Sequence, residues 1–293
     1  MTKTAWVFPG QGSQAIGMGV DLAGEAIAKA KFEQAQELLG WDVLDICQSQ
    51  EDKLSRTLYT QPSLYVVESI LADLMRKRGH QPDLVAGHSL GEYVALYAAG
   101  VFEFEVGLSL VKRRAELMDS AAGGMMAALI GFDREQLDQQ IQQADDVVLA
   151  NDNSPAQVVI SGTPTAVEAL LNKVKAKRVV RLNVSGAFHS PFMALAAAEF
   201  QQVLESVPFA NAQVPLISNV EPVAVVEASV LKDRLQRQMT GSVRWREISL
   251  QLPEEGIEKV VEIGPGKVLT GLIKRMCPNL ALENIGGLAE LPA

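Results

Sequence analysis

Residues 85–95 read VAGHSLGEYVA, a serine between two glycines, with a histidine before it and helix-forming residues after it. The apolar run at 83–86 (DLVA) predicts a strand that ends at Gly87, and 90–99 predicts a helix that starts directly after Ser89. Gly87-His88-Ser89-Leu90-Gly91 therefore fits a G-x-S-x-G turn in its required setting, between a strand and a helix. The bare pattern arises by chance in roughly one chain in ten of this length, so the setting carries the weight. Glycine on either side lets strand and helix pass closely while the serine hydroxyl projects from a strained corner. A helix beginning at Leu90 also aims free N–H groups at any oxyanion formed there.

Outward from this turn, strand and helix alternate. Residues 4–8 (TAWVF) predict a buried strand stopped by Pro9-Gly10. Leu64, Val67, Leu71 and Leu74 recur at helical spacing after Pro62, which predicts an amphipathic helix ending near Gly79. After position 190 the rhythm continues with helices at 191–205, 231–239 and 267–276 and strands at 214–217 and 259–263. This is the pattern of a mostly parallel sheet covered by helices on both faces, an α/β fold. Residues 124–184 differ. They predict strand 125–130, helix 134–143, strand 147–150, a turn-rich NDNSPA, strand 157–161, helix 165–175 and strand 178–183. The order β-α-β-β-α-β is that of a ferredoxin-like unit. The expected layout is a large hydrolase-like domain at 1–122 and 189–293, with a small ferredoxin-like domain inserted at 123–188.

Composition excludes several functional classes. The chain has 293 residues, 26 basic against 35 acidic side chains and a formal net charge of −9, which argues against nucleic acid as partner. No apolar run approaches the roughly 18 residues a membrane span requires. The opening stretch MTKTAWVFPGQGSQ enters a strand at once and carries no secretory h-region, so a cytoplasmic location is expected. Cys47 and Cys277 read as buried small residues rather than a disulfide. Three histidines occur, none at ligand spacing from another, so no metal site is expected.

A serine nucleophile requires a base. His80 ends a surface-like helix, and the side chain of His88 is expected to point away from Ser89. His189, in SGAFHSPFM between the last strand of the insert and the next helix, is the remaining candidate. The residues alone leave two alternatives open: an esterase or thioesterase of the α/β-hydrolase type, and a non-catalytic scaffold. The hydrolase order Ser…Asp/Glu…His places the histidine late, whereas here a structured-looking stretch follows it.

FPGQGSQ at 8–14, GHSLGEY at 87–93, NSPAQVVISG at 153–162, AFHSPFM at 187–193 and EIGPGKVLTGL at 262–272 together resemble the malonyl-CoA:acyl-carrier-protein transacylase family over essentially the whole chain. The resemblance implies a hydrolase-like α/β domain with a ferredoxin-like insert. It implies Ser89 as the acyl-accepting nucleophile, His189 as its base and the backbone carbonyl of Gln238 as the group orienting that base. It implies an oxyanion hole from the N–H groups of Gln11 and Leu90, Arg114 as the malonyl carboxylate binder and Phe188 as a residue excluding an α-methyl group. Arg114 makes chemical sense unaided, since a guanidinium fork grips a carboxylate through two parallel bonds. Leu110 and Val111, four and three positions before it, put its stem on a partly buried helix face. The implied substrates are malonyl-CoA and phosphopantetheinylated acyl carrier protein, with no bound cofactor and no metal, in a chain expected to be monomeric. An acidic carrier requires a local basic patch, for which Lys267, Lys274 and Arg275, or Lys175, Lys177 and Arg178, are candidates. The layout suggests a free-standing component supplying fatty acid biosynthesis, with supply of a polyketide pathway, or of both, as the alternative.

Overall fold

The computed structural model describes residues 2–292. Its centre is a five-stranded sheet built from β1 (Thr4–Phe8), β2 (Leu84–Gly87), β7 (Leu216–Ile217), β8 (Lys259–Ile263) and β9 (Ala281–Ile285). The order is β7-β2-β1-β8-β9, with every neighbouring pair parallel. Alternate residues of the strands face opposite layers. Trp6, Phe8, Val85 and Val261 join one apolar cluster with the helices Thr57–Lys77 and Gly91–Ala98. Ala5, Val7, Leu84 and Val260 join another with Trp245, Ile248 and Leu272 from the helices on the far side. A parallel sheet must be covered this way, because both of its faces are apolar.

A second, separate sheet is formed by β3 (Met125–Phe132), β4 (Val147–Ser154), β5 (Gln157–Gly162) and β6 (Ala176–Arg181). It is antiparallel, in the order β4-β5-β3-β6, and the helices Arg134–Gln142 and Pro164–Leu171 lie between its strands in sequence. Its own small core centres on Leu129, Leu137, Ile160 and Val167. The edge strand β4 is stitched to the main body by the Asp152 N–H donating to the Val243 carbonyl at 2.9 Å and the Val243 N–H donating to the Ala150 carbonyl at 2.8 Å. The Arg246 guanidinium also meets the buried Asp152 carboxylate at 2.9 Å.

Four expectations are corrected. The helix expected after Pro62 starts at Thr57, carries Pro62 inside it and is not amphipathic. Residues from Thr60 to Ala72 are buried on every side, because neighbouring helices enclose it as well as the sheet. The NDNSPA stretch is not all turn: Asn151–Ser154 continue β4, accommodated by two register shifts against β5. The helix expected at 165–175 runs only over Pro164–Leu171, opened by the Thr163 hydroxyl and Pro164, and the following strand is accordingly Ala176–Arg181. The half-exposed edge strand β9 and the helix Trp245–Glu254 had no expectation.

Candidate active site

The serine corner is built by local sterics. Ser89 adopts φ 53°, a left-handed conformation that side chains rarely take, at the junction of β2 and the helix Gly91–Ala98. A Cβ on Gly87 would enter the backbone of Gly91, and one on Gly91 would strike the Phe8 carbonyl. Both glycines are therefore required for strand and helix to cross, and the crossing raises the serine above the sheet's carboxyl edge. His189 also has a positive φ, 54°. Two non-glycine residues thus hold strained backbone at one site, where such strain characteristically accumulates.

The Ser89 Oγ lies 2.7 Å from the His189 Nε2, although the residues are 100 positions apart. His189 Nδ1 lies 3.0 Å from the Gln238 carbonyl and 3.1 Å from the Gly241 carbonyl. Carbonyls only accept, so Nδ1 carries the ring proton and Nε2 presents a lone pair to the serine hydroxyl. Burial, together with the nearby Arg114 guanidinium, pushes the His189 imidazole down to about 3, so the ring is neutral at physiological pH.

Arg114 comes from the middle of the helix Phe104–Ser120 and is 1% exposed. Its Nη1 donates to Gln61 Oε1 at 2.6 Å, and its Nη2 donates to Gln238 Oε1 at 3.1 Å and to Ser89 Oγ at 3.0 Å. Nε has no hydrogen-bond partner among the described residues. Leu110 and Val111 are buried as the helix phase required, and the guanidinium lies 5.3 Å from the Tyr93 ring centre. Among the described residues this deep guanidinium is satisfied only by amide and hydroxyl oxygens, with no carboxylate against it.

These groups open onto a cleft of about 270 Å³ that also touches Gln11, His88, Phe188 and Leu272. Phe188, beside the base, is buried. The Ser89 N–H is occupied by Asn219 Oδ1 at 2.7 Å. Among the described residues the Gln11 and Leu90 N–H groups donate to nothing in the protein, and the Gln11 side chain is tied to the Thr57 hydroxyl at 3.0 Å. His88 does turn away from Ser89, pairing its Nε2 with Asn153 Oδ1 at 2.8 Å. All seven sequence candidates thus converge: five at the cleft wall, Leu90 and Gln238 directly behind it. Sequence reasoning missed Gln61, Glu92, Asn219 and Gly241. Glu92 sits inside the quoted GHSLGEY motif, and nothing in the sequence distinguishes Gln61 and Asn219 from ordinary polar residues or Gly241 from a turn glycine. No group of three or more acidic, histidine or cysteine side chains among the described residues is placed to hold a metal. No helix there is long and apolar enough to cross a membrane.

Residues 5–283 match the family described as "Acyl transferase domain". The chain is 61% identical, over 99% of both chains, to the Malonyl CoA-acyl carrier protein transacylase of Synechocystis sp.. It belongs to the malonyl-CoA–acyl carrier protein transacylase family. The crystal structure of that Synechocystis enzyme superimposes with a TM-score of 0.98 over 99% of each chain. A Bacillus subtilis relative described as a polyketide biosynthesis malonyl CoA-acyl carrier protein transacylase is 41% identical over 92% of this chain and 96% of its own. A malonyl-transacylase solved in complex with a type II PKS acyl-carrier protein is 37% identical with a TM-score of 0.93, covering 99% of this chain and 98% of its own. The chain is an acyltransferase by membership of this family.

Proposed function

We propose that this acyltransferase moves a malonyl group from malonyl-CoA to the phosphopantetheine thiol of an acyl carrier protein, through an ester on Ser89. The observation that carries the reading is the buried Arg114 guanidinium, hydrogen-bonded at 3.0 Å to the same hydroxyl that the His189 lone pair faces at 2.7 Å. A nucleophile and a carboxylate receptor side by side fit an acyl group that ends in a free carboxylate. Ser89 Oγ attacks the thioester carbonyl while its proton passes to His189 Nε2. The N–H groups of Gln11 and Leu90 face the developing oxyanion. The tetrahedral adduct collapses, the C–S bond breaks, and the CoA thiolate leaves with the proton from Nε2. The carrier thiol then gives its proton to Nε2, its sulfur attacks the ester, and Ser89 leaves and recovers the proton.

Orientation of His189 by carbonyls argues against the esterase alternative, in which a carboxylate holds the imidazole. Apolar lining from Met118, Met126, Val159 and Leu272 keeps water sparse around the ester, and Phe188 limits room beside the α-carbon. Lys267 and Lys274, seven apart on the helix face that begins at the cleft, are both exposed and suit an acidic carrier. We read the second sheet, at 123–188, as a ferredoxin-like insert on the strength of its strand order. The working form we propose is a cytoplasmic monomer without resident cofactor that supplies fatty acid synthesis, the 61% relative bearing no polyketide designation.

Intact-mass measurement after mixing with malonyl-CoA tests the reading. One malonyl adduct on Ser89 is expected, discharged by phosphopantetheinylated carrier and absent in Ser89→Ala. Continuous release of free malonate, or an adduct on another residue, would sink it.

A further inference from the structure

Glu92 follows Ser89 by three positions, in the first turn of the helix Gly91–Ala98, and is 1% exposed. A carboxylate this deep is costly unless donors surround it. Its Oε2 receives the Gln238 Nε2 at 2.7 Å and the Asn219 backbone N–H at 3.2 Å. Both donors lead directly to the reacting groups, and neither touches the cleft contents itself.

Gln238 is the first link. Its amide nitrogen donates to Glu92 and also to the Ser89 carbonyl at 2.8 Å, while its amide oxygen receives Arg114 Nη2 at 3.1 Å. A carboxylate and a carbonyl only accept, so the nitrogen must face them and the oxygen must face the guanidinium. Glu92 and the Ser89 carbonyl together select one of the two amide orientations, the one that holds Arg114. Asn219 is the second link. Its side chain receives the Ser89 N–H at 2.7 Å and donates to the Gly87 carbonyl at 2.6 Å, spanning the left-handed corner. Among the described residues Arg114 has no carboxylate partner in direct contact, so Glu92 balances its charge at one remove, through Gln238. Burial pushes the Glu92 carboxyl up, and the Gln238 and Asn219 donors and Arg114 oppose that.

We propose that Glu92 is a positioning residue for acyl transfer, aiming the Arg114 guanidinium through the Gln238 amide and bracing the Ser89 corner through Asn219. The proposal rests on the malonyl-transfer reading of the cleft. Its two arms act on different steps. Carboxylate binding by Arg114 serves only acyl groups that carry one, whereas the Ser89 corner serves every acyl group.

The experiment compares acylation of wild type, Glu92→Gln and Asn219→Ala by malonyl-CoA and by acetyl-CoA, with thermal unfolding measured alongside. Glu92→Gln is nearly isosteric but removes the charge that balances Arg114 and weakens the acceptor that, beside the Ser89 carbonyl, holds the Gln238 amide. The ratio of malonyl to acetyl kcat/KM is expected to fall by about tenfold or more, since misplacing a positioned group by about 1 Å costs on the order of 10²-fold. Asn219→Ala keeps the backbone N–H to Glu92 and removes only the brace. It is expected to slow both acyl groups by a common factor of about ten, leaving the ratio intact. A folded Glu92→Gln protein whose losses are equal for both acyl groups would overturn the proposal. Should Glu92→Gln fail to fold, an Asn219→Ala protein that loses no rate, or loses malonyl preference, would overturn it as well. Wild type lacking any preference for malonyl would instead remove the reading beneath it.

Discussion

Replacing Arg114 by alanine separates carboxylate recognition from acyl transfer itself. The guanidinium presents Nη1 and Nη2 at the end of the cleft, now held by Gln61, Gln238 and Ser89. A malonyl carboxylate taking two of these donors forms charge-assisted bonds worth about 1.5–3 kcal/mol each. Water entering the space vacated by the side chain recovers part of this, so a net loss of about 3–4 kcal/mol is expected. That is roughly 10²- to 10³-fold in kcat/KM for malonyl-CoA, at 1.36 kcal/mol per decade. Acetyl-CoA brings no carboxylate and loses none of this. Its acylation is expected to hold or to rise, because Arg114 also donates to the nucleophile and is, after burial, the largest influence lowering the His189 imidazole. Removing it makes the base stronger and the serine freer. The fold also responds: Gln61 Oε1 and Gln238 Oε1 each lose a donor, and Glu92 loses its compensating charge. Unpaired buried groups cost about 1–3 kcal/mol each, so Tm falls by several degrees and the assay belongs well below it. The measurement is the rate of Ser89 acylation from each CoA ester, read by quenched intact mass. Equal losses for the two esters in a folded protein would refute the carboxylate assignment.

The remaining expectations concern the base, the pocket and the carrier. With His189 held near 3 against 6.5 in the unfolded chain, kcat/KM for acylation stays level as pH falls through 6.5, because the folded imidazole keeps its lone pair. Stability instead declines as pH falls from about 6.5 toward 3, where the unfolded state binds a proton the folded state refuses. An acid limb near 6.5 in the free-enzyme profile would contradict this. Phe188→Ala is expected to raise methylmalonyl relative to malonyl acylation by about 10- to 200-fold, the value of one excluded methyl; an unchanged ratio leaves Phe188 a packing residue. Reversing charge at Lys274 and Arg275 is expected to raise the KM for carrier protein while sparing acylation by malonyl-CoA. Equal effects on both half-reactions would remove that docking surface.

The serine corner was legible because its requirements are local: two glycines, one strand and one helix lie within a dozen residues. The opposition of Ser89 and His189 was not, since no periodicity links positions 100 apart. It emerged only by elimination among three histidines and from the motif resemblance. Pro62 misled because proline ordinarily marks a helix start, whereas here the helix is enclosed on all sides and tertiary packing overrides that signal. The strand at Ala281–Ile285 escaped because ALENI is half exposed at the sheet edge and lacks a buried strand's continuous apolarity. Gln61, Glu92 and Asn219 resemble surface polar residues in the sequence, and only the fold reveals that they are buried together.

The use of carbonyls rather than a carboxylate behind His189 follows from the charges already buried there. Arg114 contributes one cation and Glu92 one carboxyl, joined through Gln238. The substrate read for this cleft delivers a further negative charge to Arg114. An aspartate on His189 Nδ1 would add another buried anion within the same water-poor region, and would oppose the incoming carboxylate where screening is weakest. The carbonyls of Gln238 and Gly241 fix the same tautomer without adding charge. Burial and Arg114 make the imidazole a weak base, which the two carbonyls only partly offset, and a thiol surrenders its proton to such a base far more readily than water does. On the malonyl reading, Arg114 both weakens the base and receives the anionic acyl group, so a weak base and a carboxylate receptor are two effects of one buried cation.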